Sequence, residues 1–207
     1  MSNAPSQSPD TGRAAHRFFA LQELLGTPGL ARFYTDMLVN TPTTVSAARS
    51  RQSLSKSTAY KYANTLAELG VATERDRHRD GSALWRAHPV SGVWTDETTV
   101  ELGPVIIAVY GATGTDEDLA LFVERHGKAA LAPAVAATIA YLDGETTRRG
   151  VADDLGVPAV EAIAITQAIE RIIAVVKDHD PALADRSFEV SVSDQAIAQG
   201  PYQRGDA

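Results

Sequence analysis

Apolar residues recur at helical spacing through most of the chain, and alternation or turn residues break that spacing at defined points. Phe18, Leu21, Leu24 and Leu25 share one face of a helix predicted over 14–25, and "GTPG" ends it. A second helix is expected over 30–39, closed by "NTPTT". Thr43 or Thr44 can cap a short third helix reaching Arg51. After the turn "QSLS", a fourth helix is predicted over 56–69, stopped by Gly70. The stretch containing it, Ser53 to Val71, opens on a serine suited to helix capping. Two strand-like runs, 71–76 and 82–88, flank a polar tip containing "DG", which signals a hairpin.

A possible third strand (98–102) leads into "GPVIIAVYGATG", where periodicity does not separate a buried helix opened by Pro104 from an apolar strand. Helices are expected over 116–126 and 129–142, then a short helix ending in "DLGVP", a long apolar helix over 159–177 and a short strand, "SFEVSV". Residues 1–12 and 200–207 read as disordered or loose.

The order helix, short helix, turn, helix, hairpin predicts a winged helix-turn-helix over 13–92. The second half repeats that plan over 93–199, although no residues match at a fixed period. The expected fold class is mostly α with small β-wings, an α+β protein of two tandem winged helix-turn-helix units, the second degenerate.

Charge distinguishes the two halves. The 207 residues carry a net charge of −7, yet residues 45–90 hold eight basic residues against Glu68, Glu74, Asp76 and Asp80. Residues 1–44 balance, so the remainder carries −11. A basic island in an acidic chain points to one segment facing a polyanion. Lysine is scarce, four of 19 basic residues, and Asp outnumbers Glu by 15 to 11. That bias resembles proteins of salt-loving archaea, and a high-GC bacterium would show a similar one.

On the fourth helix, Ala59, Tyr62 or Ala63, Leu66 and Leu69 form an apolar back. Lys56, Ser57, Tyr60, Lys61 and Asn64 form a front of short donors and acceptors suited to a major groove. Asn64 can pair with adenine, Lys56 and Lys61 with guanine or phosphate, and Ser57, Thr58 and Tyr60 with phosphate. Arg49 and Arg51 end the preceding helix, and Arg75, Arg77, His78 and Arg79 cluster at the hairpin tip, where arginine suits a minor groove. A solvated basic face on a helical bundle is the plainer alternative.

"SKSTAYKYANTLAELGV", together with "YGATGTDEDLALFVERHG" and "YLDGETTRRGVADDLGVP", resembles an uncharacterised family of haloarchaeal winged-helix regulators. The resemblance implies binding of double-stranded DNA and transcriptional control, and names no effector.

The second long helix offers Glu161, Thr166, Gln167 and Glu170 where a reader would meet bases, which carboxylates disfavour. Arg148 and Arg149 are expected to meet Asp153 and Asp154 or capping contacts. The near-complete apolar surface of 159–176 suggests either a homodimer interface or a core helix, with the N-terminal helix of Phe18, Phe19 and Leu24 a competing dimer element.

Without cysteine there is no disulfide, thiolate nucleophile or zinc–thiolate site. The scattered histidines make no H-x-x-x-H pair, and neither a phosphate-binding glycine loop nor a G-x-S-x-G occurs. Asp178, His179 and Asp180 read as a helix-ending loop before a hard-metal cluster. No enzyme activity and no cofactor are therefore expected. No apolar run approaches the ~20 residues of a membrane span, and a cytoplasmic protein is expected. Alternatives from other classes are a protein-interaction adaptor and a small-molecule sensor.

Overall fold

The computed structural model describes residues 9–77, 81–95, 99–183, 185, 186, 188, 190 and 200–203. The chain is a mixed α+β protein. Helices α1 (Pro9–Leu24) and α2 (Pro28–Val39) precede strand β1 (Thr43–Thr44), α3 (Val45–Arg51) and α4 (Lys56–Glu68). Strands β2 (Ala72–Arg77), β3 (Ala83–Ala87), β4 (Gly92–Thr95) and β5 (Thr99–Leu102) follow. Helices α5 (Pro104–Ala112), α6 (Glu117–His126), α7 (Leu131–Leu142), α8 (Arg148–Leu155) and α9 (Ala159–Val176) follow, with short 3-10 helices at Lys128–Ala130 and Lys177–His179. None of the described helices is long and apolar enough to cross a membrane.

Strands β2 and β3 form the predicted antiparallel hairpin, pairing Ala72 with Ala87 and Arg77 with Ala83. The short β1 adds to β3 through Thr43 opposite Trp85, giving the order β1-β3-β2. The expected strand near 98–102 exists as β5, but its partner is β4, with Gly92 opposite Leu102. The four-residue "GVWT" of β4 offers too short a pattern to be seen in sequence. The expected strand over 187–192 falls mostly on residues outside those described.

The ambiguous segment after Gly103 is a helix, and every residue of α5 is buried. Its N-cap, Gly103, has no side chain to offer. Asp180 supplies the cap instead: its carboxylate accepts the Val105 N–H at 2.9 Å and the Ala182 N–H at 3.0 Å. A carboxylate at that end also meets the positive pole of the helix. This gives Asp180 a structural role as a helix cap.

Helix α5 packs along α2, and the contact is close at Gly111. A Cβ there would lie 2.6 Å from the Arg32 amide nitrogen and 2.7 Å from the Tyr202 hydroxyl. Tyr202 is itself buried and donates its hydroxyl to the Ala108 carbonyl at 2.7 Å. The Gln203 carbonyl accepts from the Asn40 amide at 3.1 Å. Tyr202 is therefore anchored in the core, within a stretch expected to be a loose tail over 200–207. Likewise residues 9–12, expected to be disordered, open α1. One continuous apolar cluster runs from Ala20 through α2, α5 and α9 to Tyr202.

Gly111→Ala should destabilise the fold by about 1–3 kcal/mol, the usual cost of overpacking. Tyr202→Phe, which deletes one buried hydrogen bond, should cost about 1 kcal/mol. Urea unfolding of both variants checks the order.

Candidate nucleic-acid interface

Thr44 caps α3 by accepting the Ala47 N–H at 3.1 Å. The turn after α3 places Ser53 at φ 52, an uncommon left-handed conformation for a residue with a side chain. The serine that caps α4 is therefore Ser55, which accepts the Thr58 N–H at 3.1 Å, and Ser53 makes the turn.

Ala59, Ala63 and Leu66 bury the back of α4 against the core. Tyr62 is half-buried, with its ring 5.8 Å from that of Phe33. Its hydroxyl lies over Gly29, where a Cβ would come within 2.6 Å. This seating turns Lys56, Ser57, Tyr60, Lys61 and Asn64 to solvent together. Thr58 sits half-buried beside the cap, 2.8 Å from the Ser55 hydroxyl. No acidic residue occurs between Lys56 and Ala67; Glu68 ends the helix.

Arg51 departs from its expected role. Its guanidinium turns inward to the buried carboxylate of Asp36, with Nε 3.0 Å from Oδ1 and Nη2 2.8 Å from Oδ2. Nη2 also donates to Thr43 at 3.1 Å, and Gln52 donates to Asp36 at 3.2 Å. Arg51 is thus a strut joining α2, β1 and α3. Sequence reasoning missed it because Asp36 lies within an otherwise apolar helix face, and the partner 15 residues away becomes visible only once α3 folds back. Arg49, half-buried on the same helix, has no ion-pair partner among the described residues.

On the hairpin, Arg75 and Arg77 are exposed, and Arg77 donates to the Gly81 carbonyl at 2.9 Å. The register shifts between Glu74 and Asp76, so Arg75 stands at the irregularity. His78 and Arg79, the rest of the expected tip, lie outside the described residues.

The corresponding helix of the second half presents no such face. Thr147 caps α8, and Gly156 ends it in the left-handed conformation before α9 begins. The α9 residues Ile165, Thr166, Ile169, Ile172 and Ile173 are buried, against α5, α6, α7 and α8. Most of its apolar surface is covered by this chain; Val160 and Ile163 at its start remain exposed. Glu161 is taken up by His126 at 3.0 Å and Arg125 at 3.5 Å. Arg148 approaches Glu170 at 3.8 Å and lies over the Tyr141 ring, rather than meeting Asp153 or Asp154. Burial raises the pKa of Glu170 above its ordinary range, outweighing the opposite pull of Arg148 and Arg171.

Residues 113–178, which span α6 to α9, match a family of unknown function (DUF7437). The α4 face and its hairpin lie outside the matched segment. Neither the curated proteins nor the solved structures contain a match.

Removing Asp36 strands the Arg51 charge, so Asp36→Ala should cost about 3–5 kcal/mol, whereas Lys61→Gln should leave the urea midpoint nearly unchanged. Glu170→Gln should raise stability at neutral pH, because burial disfavours the charged form of this carboxylate. Because its folded pKa is raised, the penalty it imposes disappears as pH falls below its unfolded value, and the advantage of glutamine should vanish there. Unfolding midpoints at neutral and acidic pH check this.

Proposed function

We propose that the protein is a sequence-specific DNA-binding transcriptional regulator whose α2–β3 region is a winged helix-turn-helix, acting in the cytoplasm. The observation that carries this reading is the α4 face, where Lys56, Ser57, Tyr60, Lys61 and Asn64 are exposed together and no acid intervenes. An α-helix with short polar and basic side chains near its N-terminus suits the major groove. Arg49 and Thr58 flank that face, and Arg75 and Arg77 extend from the neighbouring hairpin toward the backbone of the same duplex. Arg51, committed to Asp36, is assigned the task of setting the angle of α3 beneath α4. The likeness of "SKSTAYKYANTLAELGV" to haloarchaeal winged-helix regulators supports the same reading. In such a regulator the second half, α5 to α9, is a degenerate winged-helix-like unit for assembly or effector response.

A regulator with one reading helix per chain gains affinity by pairing on two half-sites. The face that supports a homodimer is where α1 meets β4. Phe19 is 60% exposed, Trp94 58% and Val93 63%, with Phe18 stacked on Trp94 at 6.0 Å. A groove of about 290 Å³ between α1 and β4 adjoins them.

Selection of bound sequences from random duplexes should return one preferred operator. On that operator Lys61→Gln should lower affinity and reduce the salt slope by about 0.9, the loss of one phosphate contact. Asn64→Ala should cost about 1–3 kcal/mol and relax preference at one base pair. Occupancy unchanged by both, and by Arg75→Gln/Arg77→Gln, would sink the reading in favour of a protein-binding adaptor. Separately, sedimentation should show a dimer that Phe19→Asp/Trp94→Ser converts to monomer; a double variant that stays dimeric moves the interface elsewhere.

A further inference from the structure

The second half contains a cleft of about 600 Å³, bounded by β5, the start of α5, α7, Asp180, Ala182, Leu183 and Arg186. That volume is in the range of small-molecule sites. Its walls are apolar and include Val105, Ile106, Val135, Ile139 and Leu183, with Ala136 facing the open space. The charges around it are unbalanced. Arg186 is the one basic residue among those lining it, and it is already paired with Asp143. Three carboxylates line the same space: Glu101, Glu145 and Asp180. Glu101 and Glu145 are exposed and have no ion pair among the described residues. Asp180 is buried, held by two backbone N–H groups, and likewise has no cation beside it among the described residues.

A concave, weakly solvated surface with carboxylates of one sign concentrates a negative potential. A ligand that satisfies both the walls and the charge has an apolar body and one positive charge. We propose that this cleft is a binding site for lipophilic organic cations, such as quaternary ammonium or phosphonium compounds or protonated amphipathic amines. The apolar walls take the body, and Glu101 and Glu145 hold the charged centre near the mouth. An anion of the same shape meets only carboxylates and a neutralised arginine, and is excluded.

The location gives such a ligand a route to the rest of the molecule. The cleft wall formed by Val105 and Ile106 belongs to α5, whose other side seats α2 at Gly111. Glu101 lies on β5, which pairs with β4 beside the α1 face.

The test uses the full-length protein and two probes of one shape and opposite charge, tetraphenylphosphonium and tetraphenylborate, in isothermal titration calorimetry without DNA. The expected result is one phosphonium bound per chain and no borate binding. Glu101→Gln/Glu145→Gln should weaken phosphonium several-fold, and Ala136→Phe, which fills the cleft, should abolish binding. No phosphonium binding at millimolar concentration overturns the proposal, as does borate bound equally well. Affinity unchanged in the glutamine variant also overturns it, and these exposed sites keep that arm informative even if Ala136→Phe folds poorly. Calorimetry needs no operator, so the DNA reading and this one stand or fall separately.

Discussion

The meeting of α2 and α5 at Gly111 is the constraint on which the rest of the molecule depends. With no side chain at that point, the two backbones approach closely enough for Tyr202 to close the seam with a hydrogen bond to Ala108. Helix α2 then has both of its long sides occupied. One side faces α5 and, through it, α7 and α9. Elsewhere along it, Phe33 and Tyr34 support α4 and the hairpin base: Tyr34 donates to the His88 carbonyl at 2.8 Å and accepts the Val90 N–H at 3.1 Å. Burial pushes the Tyr34 phenol pKa upward, favouring the neutral form that donates to His88.

Asp36 is the polar counterpart of that seam. A carboxylate buried on α2 is tolerable only because Arg51, Gln52 and the strand-borne Thr43 converge with it. A single buried charge thereby fixes α3, β1 and α2 relative to one another, and α3 fixes the start of α4. The exposed face of α4 is set by supports that lie inside, Ala59, Ala63 and Leu66. In the proposed function, a face set in advance spares the protein the entropy of ordering a reading helix on contact with its target.

Much of the first half was legible because its elements carry local signals. The Thr44 cap, the turn after Arg51, the apolar back of α4 and the hairpin around "DG" are each readable within a few residues. What was hidden depends on distant contacts. Nothing near Arg51 announces that Asp36 will claim it, nothing in "GVWT" announces a strand, and a tyrosine at 202 near glycine and proline reads as tail until its pocket exists. The second half was harder for a related reason. Helices α5 and α9 are apolar almost all round, so periodicity could neither separate helix from strand at α5 nor say which surface of α9 would be covered. Packing decided both.

Tyr202 has a consequence for how the chain reaches this structure. Its hydroxyl meets a carbonyl 94 positions earlier, across nearly the whole second half. Helices can form as they leave the ribosome, and the α2–α4 unit with its hairpin can assemble from local contacts. The α2–α5 seam stays unplugged until residue 202 has emerged. Contacts of such long sequence separation slow folding, so closing this seam carries a larger loop-closure cost than the local assembly of α2 to α4.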